Sequence, residues 1–91
     1  MRSVHVIVEG RVQGVGYRYS LRLEADRRGV AGWVRNRVDG SVEAVLEGTD
    51  DAVDAVLAWM AEGPPGARVD AAKVTEAQRV GSTGFEVRDT H

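Results

Sequence analysis

From Val4 to Val8 the chain is rich in β-branched apolar residues and reads as a strand. A glycine-rich loop from Gly10 to Gly16 follows. Tyr17, Leu21 and Ala25 then fall at i, i+4 and i+8, which places them on one face of a helix over about Tyr17 to Arg28. Tyr19 and Leu23 lie on another side, so the stripe is imperfect. Gly29 suits the position that stops such a helix, and Arg27 and Arg28 complement the partial negative charge of its last turn. Val30 to about Arg37 and Ser41 to Glu47 read as two more strands. Asp39-Gly40 between them is a hairpin signal. Whether the turn is those two residues or a longer loop from Arg37 is left open by the pattern. The difference matters, because a one-residue slip moves every side chain to the opposite face.

The second helix has the clearest periodicity. Thr49 can cap it, Asp50 and Asp51 complement its N-terminal dipole, and Val53, Val56, Leu57 and Met60 form the expected buried stripe. Gly63-Pro64-Pro65-Gly66 ends it. Ala67 to about Glu76 reads as a fourth strand, and Phe85-Glu86-Val87 as a short last one after the loop Gly81–Gly84. The order β-α-β-β-α-β plus a small terminal strand predicts an α+β fold of the ferredoxin-like, split βαβ kind. Two helices should cover one face of a mostly antiparallel sheet.

With 91 residues the chain is expected to be one domain, residues 1–91. Apolar residues make up 43% and charged residues 29%, the balance of an ordinary globular protein and not of a disordered one. No stretch is long and apolar enough to suggest a membrane span. Met1-Arg2-Ser3-Val4-His5 leads straight into strand-like sequence without an apolar signal region, so a cytoplasmic location is expected. A monomer is expected too, since no long exposed apolar stripe asks for a partner. The absence of cysteine excludes disulfides, thiolate metal sites and a cysteine nucleophile. A net charge of −2 argues against nucleic acid as a bulk partner. The charge is unevenly spread: arginines crowd the first 40 residues, while Glu43, Glu47, Asp50, Asp51 and Asp54 follow. Two solvated faces account for most of that asymmetry.

Few side chains remain for chemistry. His5 lies mid-strand and His91 is the last residue. Ser20, Ser41 and Ser82 have no histidine and carboxylate beside them in a triad pattern. Asp50, Asp51 and Asp54 fit a helix N-terminus better than a metal site. What stands out is Gly10-Arg11-Val12-Gln13-Gly14-Val15-Gly16-Tyr17-Arg18. Glycines let a backbone curl so that several N–H groups point inward, a helix N-terminus adds partial positive charge, and arginine adds a permanently charged fork. That combination suits a small anion, although most glycine-rich turns only link a strand to a helix.

A second string, Gly32-Trp33-Val34-Arg35-Asn36 with Gly40, Val42 and Gly48, raises the specificity. Together the two strings resemble the signatures of the acylphosphatase family. The first of these reads Gly-x-Val-Gln-Gly-Val-x-aromatic-Arg, and the second Gly-aromatic-Val-basic-Asn with a glycine, a valine and a closing glycine beyond. The likeness runs from Val4 to Arg88, and Gly84-Phe85-Glu86-Val87-Arg88 is similar to the family's last strand. Tyr17 departs from the family's usual phenylalanine by one hydroxyl, which needs a partner or water.

The resemblance implies hydrolysis of acyl phosphates to carboxylate and inorganic phosphate, with no metal or cofactor. Arg18 would bind the phosphate with the loop Gln13, Gly14, Val15, Gly16, Tyr17 and Arg18, and Asn36 would position the water. Such a sparse set is chemically sufficient, because the carboxylate of a mixed anhydride leaves without a general acid and phosphoryl transfer is mostly positioning and electrostatics. A neutral carboxamide is no base, so the proton would pass to the substrate's own phosphate. Without the resemblance, Asn36 reads as a strand-end residue that satisfies the hairpin turn. Val12 and Val15 are expected to pin the loop to the core, Trp33 to pack, and Arg35 and Arg37 to be solvated, the alternative for these two being to steer an anion. The expected partner is a small-molecule acyl phosphate, without nucleic acid or membrane. The alternative is a non-enzymatic anion-binding module of the same fold. An RNA-binding sheet is disfavoured, because only Trp33 and Phe85 supply strand aromatics.

Overall fold

The computed structural model describes residues 1–91. Its elements are β1 (Arg2–Arg11), α1 (Tyr17–Arg28), β2 (Ala31–Asn36), β3 (Val42–Gly48), α2 (Asp50–Glu62), β4 (Arg68–Glu76) and β5 (Phe85–Val87). One five-stranded sheet has the order β4-β1-β3-β2-β5. β1 runs antiparallel to β3 and β4, β2 runs antiparallel to β3, and only β5 is parallel to its neighbour β2. β3 separates β1 from β2, and β1 separates β3 from β4, so two split βαβ units interleave. The predicted ferredoxin-like α+β architecture is therefore present.

The period of two in the strands decides which face is covered. Val4, Val6 and Val8 of β1, Val34 of β2, and Val42, Ala44 and Leu46 of β3 are buried beneath the helices. Tyr17, Leu21 and Ala25 of α1 and Val53, Val56 and Met60 of α2 close the core from above. Burying each large apolar side chain contributes on the order of 1.5–3 kcal/mol. Leu57, expected in the buried stripe, is only half-buried and packs at the core's margin. Thr49 Oγ1 accepts from the Ala52 N–H at 3.2 Å, with Asp50 and Asp51 in the first turn, as the capping pattern requires.

The structure differs from the sequence reading mostly at element ends. β1 extends beyond Val4–Val8 on both sides, because its two edges are both paired. Its ladder continues through a bulge at Glu9/Gly10 to Arg11, opposite Arg68. The connecting loop is correspondingly shorter, Val12–Gly16. Between β2 and β3 the chain adopts the longer of the two turns. Arg37 N donates to Ser41 O at 2.9 Å, and Gly40 N donates to Arg37 O at 3.1 Å. That turn sets the register Asn36 to Val42 and Arg35 to Glu43. Asn36 consequently shares the helix side of the sheet with Val34, and Arg35 takes the open side. No helix is long and apolar enough to cross a membrane.

Candidate active site

The loop Val12–Gly16 leaves the end of β1 and enters α1 with two residues, Gly14 and Gly16, at φ 75°. A β-carbon on Gly14 or Gly16 would find nothing within 4 Å, so backbone conformation and not space calls for glycine here. The N–H groups of Gln13, Gly14, Val15 and Gly16 donate no backbone hydrogen bond within the chain. Gly16 caps α1 without any side-chain hydrogen bond, and no acidic residue occupies the first turn. The positive end of the helix dipole is thus unopposed. Val12 is buried and Val15 packs against the core margin, so both pin the loop as expected.

A pocket of about 210 Å³ opens over this loop, lined by Val12, Gln13, Gly14, Gly16, Tyr17, Arg18, Tyr19, Asn36 and Val87. Arg18 of α1 and Asn36 of β2 therefore meet at one cavity, although most of a helix and a strand separate them along the chain. Val15, grouped with the loop in the sequence reading, is absent from this wall. Arg18 Nη1 donates to the Arg88 carbonyl at 2.8 Å. Asn36 Oδ1 is buried and has no hydrogen-bond partner. A half-turn about χ2 exchanges that oxygen with Nδ2, and no hydrogen bond to the oxygen opposes it.

Asn36 is not needed by the turn that follows it. Gln13 Nε2 donates to Arg37 O at 2.7 Å and to Ser41 O at 2.9 Å. Asp39 Oδ1 accepts from Ser41 N at 2.9 Å and from Ser41 Oγ at 2.6 Å. Those bonds hold Asp39's carboxyl below its ordinary range, with the Ser41 side chain the largest influence. Gln13 accordingly couples the loop to the hairpin while also lining the pocket.

The hydroxyl of Tyr17 finds a buried partner, donating to Met60 O at 2.7 Å and tying α1 to α2. Burial pushes its phenol pKa up, so the proton stays in place to donate. Trp33 does not enter the core. It lies half-buried on the open face, with Arg35 and Arg88 stacked on its ring at 5.0 and 4.6 Å. Arg35 also donates to Glu43 Oε1 at 2.7 Å, and His5 Nε2 lies 2.6 Å from Glu43 Oε2. Arg35 therefore faces away from the pocket and does not line a path into it. Burial raises the Glu43 carboxyl, but hydrogen bonds from His5 and Arg35 outweigh it and hold the pKa down. His5 is a strand residue in this network, and no group of three metal-binding side chains occurs anywhere in the chain.

Tyr19 and Val87 in the pocket wall, and the Arg88 carbonyl that anchors Arg18, were not singled out from the sequence. Tyr19 carried a visible sign, since it lies off the apolar stripe of α1 and is 62% exposed. A main-chain carbonyl carries none, because every residue has one.

The acylphosphatase family profile matches residues 4–87. An acylphosphatase of Thiobacillus denitrificans is 56% identical over 88 residues, covering 97% of this chain and 98% of the relative. One of Rubrobacter xylanophilus is 54% identical over 88 residues, covering 96% and 80%. The crystal structure of acylphosphatase from Bacillus subtilis superimposes with a TM-score of 0.94 at 42% identity, covering 97% of this chain and 99% of that one.

Proposed function

This chain belongs to the acylphosphatase family, and from that premise we propose that it splits small acyl phosphates by in-line attack of a water directed by Asn36. The enzyme is a hydrolase of acid anhydrides. Arg18 and the N–H groups of Gln13–Arg18 hold the phosphoryl group and offset the charge that spreads over its oxygens. The bond broken is the one between phosphorus and the bridging oxygen, and its electron pair leaves with the carboxylate. Water supplies the new oxygen, and its proton passes to a phosphate oxygen, since no side chain at the pocket is a base near neutral pH. Asn36 accepts a hydrogen bond from that water through its carboxamide oxygen. The protein acts in the cytoplasm, as a monomer and a single domain, without metal or cofactor.

One observation carries the reading. The Asn36 carboxamide borders the same cavity as Arg18, and its buried oxygen makes no bond to the fold that would oppose the half-turn bringing it to the cavity. A pure anion-binding module needs the cradle but has no use for an unattached acceptor beside it. Hydrolysis of benzoyl phosphate in excess chelator tests the proposal. Turnover persists in the parent, Asn36→Ala loses rate by a factor on the order of 10²–10³ while still binding phosphate, and Arg18→Ala loses both. Full rate in Asn36→Ala would remove the asparagine from the mechanism, and unchanged phosphate affinity in Arg18→Ala would remove the cradle.

A further inference from the structure

On the opposite side of the sheet from the pocket, Glu47 of β3 is a carboxylate 5% exposed and without any ion-pair partner. Its charge is met by donors of the loop that precedes β5, the Ser82 side chain and three main-chain amides. Val80 N donates to Oε1 at 2.8 Å, Gly81 N to Oε1 at 3.4 Å, and Ser82 N to Oε2 at 3.0 Å. Hydrogen bonding from Ser82 holds its pKa below the ordinary value, outweighing burial, with the three amides adding to the effect. A buried carboxylate is costly to keep without such donors, so its dependence on this one loop ties the loop to β3.

The loop leads directly into β5, which is three residues long and has a single neighbour. So short an edge strand is held by buried Phe85, a three-residue parallel ladder to β2 flanked by the bond from Gly32 N to Gly84 O at 2.9 Å, and the anchor of the loop before it. Beyond β5 the chain reaches both residues assigned above to the reaction. Arg88 N donates to Val34 O at 2.8 Å, and Arg88 O receives Arg18 Nη1. His91 N donates to Asn36 O at 3.0 Å.

We infer that Glu47 is a positioning residue for the phosphate pocket. It clasps residues 80–82, thereby fixes β5 and the segment 88–91, and through that segment fixes the Arg18 guanidinium. The inference rests on the phosphate-binding role proposed for Arg18. A carboxylate suits the clasp because it is acceptor-only, with lone pairs enough for three converging N–H groups. A glutamine of the same shape turns an NH₂ group toward one side of the nest and opposes the amides there.

Phosphate titration of Glu47→Gln, together with the side-chain Nε–H resonance of Arg18, tests this. The Kd for inorganic phosphate rises about tenfold, the loss expected of one misplaced charged hydrogen bond, and the Arg18 resonance shifts or broadens while the amides of central β1 and β3 keep their positions. A Kd within about twofold of the parent, or a weakened Kd with an unmoved Arg18 resonance, overturns the inference. If Glu47→Gln does not fold, Ser82→Pro removes that residue's amide and side-chain donors from the intact carboxylate and is read by the same two criteria. Arg18→Ala is titrated alongside. Should it bind phosphate like the parent, the cradle has failed, whereas a weak Arg18→Ala beside a normal Glu47→Gln sinks the clasp alone.

Discussion

Arg18 Nη1 donates to the main-chain carbonyl of Arg88 at 2.8 Å, joining residues 70 positions apart. The contact fixes one corner of the guanidinium and leaves its other N–H groups for a ligand. It also makes the segment after β5 part of the pocket's frame. Guanidinium geometry serves here because five donors lie in one rigid plane, so one can be anchored while others face an anion.

Arg18→Lys keeps the charge and loses that plane. An ammonium cannot hold the Arg88 carbonyl and present a fork to phosphate together. The variant is expected to lose kcat/KM for benzoyl phosphate by a factor on the order of 10² while its melting temperature stays close to the parent's. Parent-like kcat/KM would show that charge alone suffices.

Gly14→Ala isolates backbone conformation from space. At φ 75° a β-carbon meets nothing within 4 Å, so no clash contributes. The left-handed conformation itself costs about 1–2 kcal/mol for a residue with a side chain. Melting should drop by roughly 4–8 °C per kcal/mol in a domain of this size, with weaker phosphate binding if the loop relaxes. An unaltered melting curve would contradict the positive φ.

Tyr17→Phe removes the hydroxyl and keeps the ring beside Trp59, whose centroid is 5.4 Å away. The bond to Met60 O is lost, and stability falls by about 1 kcal/mol. Because that hydroxyl points into the helix pair and away from the cavity, kcat is expected to be unchanged. Denaturant melts and steady-state kinetics check the two halves separately.

Three buried or half-buried glutamates set the acid side of the stability profile. At Glu24 burial raises the carboxyl, but Arg28 and Arg27 together prevail and lower it. Glu43 and Glu47 are lowered as well. A folded-state pKa below the ordinary 4.5 means that the unfolded chain binds protons first as pH falls. Their stabilisation is complete above about pH 4.5 and is lost as pH drops through the folded-state values. Melting temperature should accordingly decline from about pH 5 downward over the range those carboxyls titrate, and Glu47→Gln should decline less steeply. Equal slopes for parent and variant would show that Glu47 carries no such share.

Much of this molecule was legible in its residues. The strand and helix periods identified every element, because each buries one face and the spacing of apolar residues reports that face directly. The limits of α1 at Tyr17 and Arg28 and the Thr49 cap of α2 could be read from local chemistry alone. The glycine-rich loop and helix start marked Arg18 as an anion contact from local chemistry, whereas Asn36 stood out only through the resemblance to the family's second signature. The true ends of β1 did not show, because pairing with β4 carries the ladder past the apolar run.

What the linear pattern determined was a set of local preferences: which segments turn, which bury a side, and which could curl around an anion. Tertiary structure decided the rest. It chose the longer turn at Arg37–Ser41, and with it the face on which Asn36 emerges. It gave Gln13 to the hairpin, Trp33 to two arginines, and the Arg88 carbonyl to Arg18. Apart from the neighbouring Arg35 on Trp33, these contacts join distant positions, and those of Gln13 and Arg18 end on main-chain carbonyls. Main-chain atoms are the same at every residue, so their partners are settled only when the sheet brings the strands together.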